Sequence, residues 1–192
     1  MIAVLGYGGH GRDVAAIAQA AGHIVLPRDD DPTKAPYPTG VLNISSSNEI
    51  VSGYLIGVND PAERQRLDTT RVEPVNVIHP TAVIEHDLRL EGGVVVGAGT
   101  VLGPGVVLGR HCHLNAHVFA TRAVLGDYVT VGPGAVICGD VAIGARCRIG
   151  AGAVVSNLVT LGPDVIVGAG AVVPPHSHLD AGTWVGVPAR KL

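Results

Sequence analysis

From Ile78 onward the chain keeps a six-residue beat. Aliphatic residues stand at Ile78, Ile84, Leu90, Val96, Leu102 and Leu108, and again at Leu125, Val131, Ile137, Ile143, Ile149, Val155, Leu161, Val167 and Val173. Glycine often follows directly, as at Gly97, Gly132, Gly150 and Gly168. Six is far from the helical repeat of about 3.6, and the beat is rich in β-branched residues. The pattern predicts a parallel β-helix. Each short strand turns one aliphatic inward, glycine eases the corner, and three strands close a coil whose stacking buries a thin apolar rod. One interval breaks the beat: Leu108 to Leu125 spans 17 positions where three sixes make 18. That stretch, LGRHCHLNAHVFATRAVLGD, is also the segment richest in histidine.

Residues 1–76 follow a different pattern. Ile2 to Leu5 is a short apolar run, GYGGHG follows, and Asp13 to Ala21 is Ala-rich with helical spacing, stopped by Gly22. HIVL and YLIGV are two further strand-like runs, and Asn59-Asp60-Pro61 is a cap and first turn for a helix over AERQRLD. This alternation predicts a small parallel α/β domain over 1–76, with the repeat region over 77–192.

Composition narrows the picture. Aromatics are 3% and Trp184 is the single tryptophan, so the core must be narrow and aliphatic. A net charge of −3 with dispersed basic residues offers no nucleic-acid footprint. No apolar run approaches membrane-spanning length, and the start of the chain lacks the marks of a signal peptide. Cys112, Cys138 and Cys147 have no metal-type spacing; Cys112 and Cys147 stand two residues before aliphatic beats, where small inward side chains fit. A cytoplasmic protein with reduced, packed thiols is expected.

Two features could bind ligands. Gly6, Gly8, Gly9 and Gly11, with His10 between them, fit GxGxxG after a strand and before a helix, an arrangement that receives phosphate. Asp29, Asp30 and Asp31 lie about where a nucleoside-reading acid is expected. The triplets Gly132-Pro133-Gly134, Gly150-Ala151-Gly152 and Gly168-Ala169-Gly170 stack one coil apart, either as a corner requirement or as a side-chain-poor track for an extended ligand.

Together with the ending GTWVGVPARKL, these motifs resemble the bacterial sugar O- and N-acyltransferases, of the sialic acid O-acetyltransferase and bacillosamine or perosamine N-acetyltransferase type. DDDP, IGVNDPAERQRL, IHPTAVI, LGDYVTVGPGAVICGDVAIG and GVPAR carry the resemblance over nearly the whole chain. It implies a small Rossmann-like domain joined to a left-handed parallel β-helix, in a homotrimer with acetyl-CoA in grooves between rods. It implies main-chain contacts to that co-substrate at Gly139, Ala151 and Ala169, and no metal. A nucleotide-sugar would lie on the glycine turn, with His10 and Arg12 near its diphosphate and Asp29 and Asp30 at its nucleoside.

The family's histidine base is missing. Asn115 matches the family's asparagine, but the His-acid pair falls on Thr121-Arg122 and a second histidine on Thr130. His117 is the nearest replacement base, with His111 and His113 next. His23, His79, His86, His176 and His178 are read as surface or corner residues. Two other functions stay open: a catalytically silent nucleotide- or CoA-binding relative, and a gamma-carbonic-anhydrase-like metal enzyme using His111, His113 and His117.

Overall fold

A computed structural model describes residues 1–29, 51–68 and 72–192. Its first part is a three-stranded parallel sheet in the order β2-β1-β3, made by β1 (Ile2–Leu5), β2 (Val25–Arg28) and β3 (Tyr54–Ile56). Helix α1 (Gly9–Ala20) buries Val14, Ala15 and Ala18 on this sheet, and α2 (Pro61–Leu67) follows β3. The Asp60 side chain accepts from Glu63 N at 2.9 Å, and Pro61 occupies the first turn, so α2 begins where its cap sequence indicates. Helix α1 instead begins at Gly9, four residues before the Ala-rich run. The GGHG segment is thus its first turn, and the helix amino end lies at the glycine turn itself.

The rest is a left-handed parallel β-helix. Strands of two to four residues stack in register onto three faces, for instance Val131 on Ile149 and Ile149 on Val167. Inward residues come in pairs two positions apart, such as Val129 and Val131 or Cys147 and Ile149, and form one continuous core. Cys112 and Cys147 occupy inward sites as expected, where burial pushes their thiols up to about 12 and about 11. All three thiols are free.

The glycine after each aliphatic has a different role from the one its position suggested. A Cβ on Gly150 would lie 2.4 Å from Ala169 N in the next coil, so close approach between coils requires glycine there. The left-handed backbone is taken two residues later, often by bulky residues: Tyr128 (φ 60), Asp140 (φ 61) and Leu158 (φ 61). The missing residue lies in one such corner. Between inward Ala120 and Ala123 stand only Thr121 and Arg122, where the next coil places Cys138, Gly139 and Asp140 between Ile137 and Val141. A shortened corner draws the chain toward the axis, and the flanking inward residues are accordingly alanines, both fully buried.

Candidate functional site

The first part of the chain packs on one rod face. The outward residues of that face are Val77, Val95, His113, Thr130, Arg148 and Ile166, one per coil. The two valines join the core under α1. Above them the seam is polar. Arg64 of α2 is fully buried, donating to Tyr128 O at 2.7 Å and Thr130 Oγ1 at 2.8 Å. Burial lowers its pKa to about 10. The Thr130 hydroxyl is also 3.2 Å from Asn59 O, to which it donates, so it is fully engaged. Asp68 gathers a second cluster: Tyr54 Oη donates to it, as do Tyr128 Oη at 2.7 Å and Arg110 Nε at 2.5 Å, with His111 Nε2 at 3.2 Å. Burial opposes its charge, but these hydrogen bonds prevail and hold the carboxyl well below the usual range.

Farther along the seam a cleft of about 750 Å³ opens. One wall is the first turn of α1, with Gly9, His10 and Asp13, next to Asn59. The other is the rod, with Asn115, Thr130, Arg148 and the pairs Gly150-Ala151 and Gly168-Ala169. Helix α1 has Gly8 before it, no side-chain cap and no acidic residue in its first turn, so its N–H groups and dipole are available to an anion. The Ala151 and Ala169 amides have no intramolecular acceptor among the described residues. A second groove of about 370 Å³ continues beneath α1 past Ile17, Ala98 and Ala116.

The cleft therefore brings together Gly9, His10, Asn115, Ala151 and Ala169 of the expected residues. Gly6 (φ +82) and Gly8 shape the turn, and Gly11 is required by packing, since a Cβ there would lie 2.0 Å from Gly6 O. Asp29 closes the turn, accepting from Tyr7 N at 2.8 Å. Asp30 and Asp31 lie outside the described residues. Arg12 is exposed and lines neither cleft. Asn115 Nδ2 donates to Val131 O at 2.9 Å, and its Oδ1 has no partner among the described residues. His117 is exposed at the corner in line with the glycine triplets, over Gly99, and lines neither cleft.

Gly139 lies at the opposite edge of the neighbouring face. Its N–H donates to Asn157 Oδ1 at 3.0 Å, and the Arg122 guanidinium, 3.3 Å from Asp140, covers it. His111 and His113 are buried in the seam, at a corner and on a strand, and point away from His117. Among the described residues no three His, Cys, Asp or Glu side chains form a metal-ligand set, so the carbonic-anhydrase-like triad is not assembled. Sequence reasoning passed over Arg64, Asp68, Arg148 and the pairing of His10 with His113. Arg148 was within reach, since the register that aligned the glycine triplets also puts it above Thr130.

Comparison with known proteins agrees with this layout. The family model described as bacterial transferase hexapeptide (six repeats) matches residues 122–157. Perosamine N-acetyltransferase from Caulobacter crescentus, solved as a histidine-to-asparagine variant with CoA and GDP-perosamine, is 31% identical, with a TM-score of 0.92 over 100% of this chain and 96% of that one. The chain belongs to the bacterial hexapeptide sugar acyltransferases. Two other solved proteins are similar in structure. The acetyltransferase domain of PglB from Neisseria gonorrhoeae, in complex with acetyl coenzyme A, is 28% identical with a TM-score of 0.88, covering 100% of this chain and 98% of that one. WeeI from Acinetobacter baumannii is 27% identical with a TM-score of 0.88, covering 100% and 99%. No curated protein matches the chain by sequence. No helix among the described residues is long and apolar enough to cross a membrane.

Proposed function

We propose that the protein transfers an acetyl group from acetyl-CoA to an amino or hydroxyl group of a nucleotide-linked sugar. One observation carries this reading: a single cleft joins the uncapped amino end of α1 and Arg148, which suit a diphosphate, to the exposed amides of Ala151 and Ala169, which suit the carrier's amide-rich arm. The N-terminal sheet then serves as a Rossmann-like half-domain over 1–76, with the acyltransferase rod over 77–192, and Asp29, directly after β2, is assigned to the nucleoside. The chemistry requires the attacking sugar group to lose a proton as it adds to the thioester carbonyl. Thr121, Arg122 and the fully engaged Thr130 cannot take it, so His117 is assigned as the acceptor and Asn115 Oδ1 as an orienting group.

A homotrimer completes the site. Ala151 and Ala169 stand at one edge of the face whose outward residues are Val101, Phe119, Val136 and Val154, and Gly139 stands at the other. One ligand meets both edges only where two copies lie side by side. The free thiols suit a cytoplasmic, reducing setting.

Thiol release from acetyl-CoA, measured with UDP-, GDP- and dTDP-linked 4-amino sugars and their hydroxyl counterparts, tests the reading. Turnover is expected with at least one, and His117→Ala should lower kcat about a hundredfold without weakening CoA binding. Nucleotide binding without turnover on any of them would instead make the protein a silent relative.

A further inference from the structure

His10 and His113 meet across the seam, His10 Nε2 lying 2.8 Å from His113 Nδ1 with ring centroids 5.1 Å apart. His113 is 1% exposed, and its Nε2 is enclosed without a partner. One proton lies between the rings, and two neutral arrangements place it differently. If His10 donates, His113 must carry its own proton on Nε2, leaving an enclosed N–H with no acceptor. Arg64 is the strongest charge acting on His113 and opposes any positive charge on the ring. If His113 donates from Nδ1, its Nε2 is an enclosed lone pair, and His10 carries its proton on Nδ1. The second arrangement avoids the enclosed donor.

We propose that His113 fixes His10 as a neutral Nδ1–H donor in the cleft, aimed at an acceptor oxygen of the ligand, so that His10 recognises substrate and does not accept its proton. The oxygen belongs to a phosphate, beside the α1 amino end and Arg148, or to the thioester carbonyl. The inference rests on the proposed function only for what occupies the cleft. The groups facing the pair are Asp13 on α1, Arg64 on α2, and His111 and Arg148 on the rod. Burial and then Arg64 lower His10 to about 4 against the pull of Asp13, and burial, Arg64, His10 and His111 hold His113 well below its ordinary value. The pair therefore stays neutral across the physiological range. His113 is a positioning residue, acting through His10.

Nitrogen-15 NMR of the full-length, histidine-labelled protein decides the tautomer without substrate. Both rings should carry the proton on Nδ1, unchanged between about pH 5.5 and pH 8; a bare Nδ1 on His10, or titration in that range, overturns the proposal. Kinetics give a second test. His10→Asn keeps an N–H where Nδ1 stands and should lower kcat/KM a few-fold, whereas His10→Leu should lower it tens-fold. Equal losses of a hundredfold or more in both variants would make His10 the base and overturn the proposal.

His113→Asn should likewise rescue what His113→Leu loses. Weaker binding of GDP and UDP by His10→Leu assigns the oxygen to phosphate, and unchanged binding with reduced turnover assigns it to the thioester. If the wild type turns over no sugar, the function above fails while NMR still decides the tautomer.

Discussion

Two faces of one rod share a ladder and differ in what they show outward. On one, Val83, Val101, Phe119, Val136, Val154 and Val172 make an unbroken apolar column, with Val83 53% and Phe119 40% exposed. On the other, the column runs from valine through His113, Thr130 and Arg148 to Ile166, and helices α1 and α2 already cover its lower half. Inside, the two faces are interchangeable. Outside, the first awaits a cover of its own chemistry, and the second already meets polar partners from α2 and the segment after it, among them Arg64 and Asp68. The interior periodicity thus specifies the rod, and the outward columns specify what the rod meets.

The strongest challenge to this contrast is a charge in the apolar column. Val136→Glu should leave the coil intact, because the side chain points outward. It should also place an unpaired carboxylate in the face between the edges carrying Ala151 and Gly139. Light scattering should then show monomers, and acetyl transfer should fall a hundredfold or more. A trimer that persists with activity would mean this face has another use.

On the polar face the corresponding test is Asp68. Its side chain is 6% exposed and serves Tyr54, Tyr128, Arg110 and His111 together. Asp68→Ala strands two hydroxyls and a buried imidazole, and should cost about 3 kcal/mol of stability by chemical denaturation. Arg110 is 38% exposed and keeps its water, so Arg110→Ala should cost less. If the alanine variants are equal and mild, the seam is held by its valines and not by its polar groups.

These two regions were unequally legible in the sequence. The six-residue beat disclosed the rod because every coil repeats the same steric demand, and it put Cys112 and Cys147 inside. It also exposed the shortened stretch, and the strand register places the cut at the corner between Ala120 and Ala123, where two residues stand in place of three. The seam has no period. Arg64 meets Tyr128 and Thr130 across 64 and 66 positions, and Asp68 meets Tyr128 across 60, so no local pattern announces either. The His111, His113 and His117 cluster misled for a geometric reason: a corner, a strand and the next corner send neighbouring side chains to different surroundings.

Acid should separate the two regions most gently. Burial, followed by Arg64, holds His10 near 4 and His113 well below its ordinary value, whereas the unfolded chain protonates both near 6.5. A base depressed in the fold binds fewer protons folded than unfolded, so stability is full above pH 6.5 and is lost as pH falls from there toward 4. From pH 7 to 6 each of the two costs at most about 0.7 kcal/mol. Asp68, with its carboxyl held below the usual range, remains charged throughout and contributes no slope there. The rod's apolar core has no such groups, so mild acid should loosen the N-terminal part while the β-sheet signal persists. His113→Leu should flatten the stability profile between pH 7 and 5. An unchanged slope in that variant would place the acid sensitivity on groups other than His113, with His10 and His111, also lowered by burial, next in line.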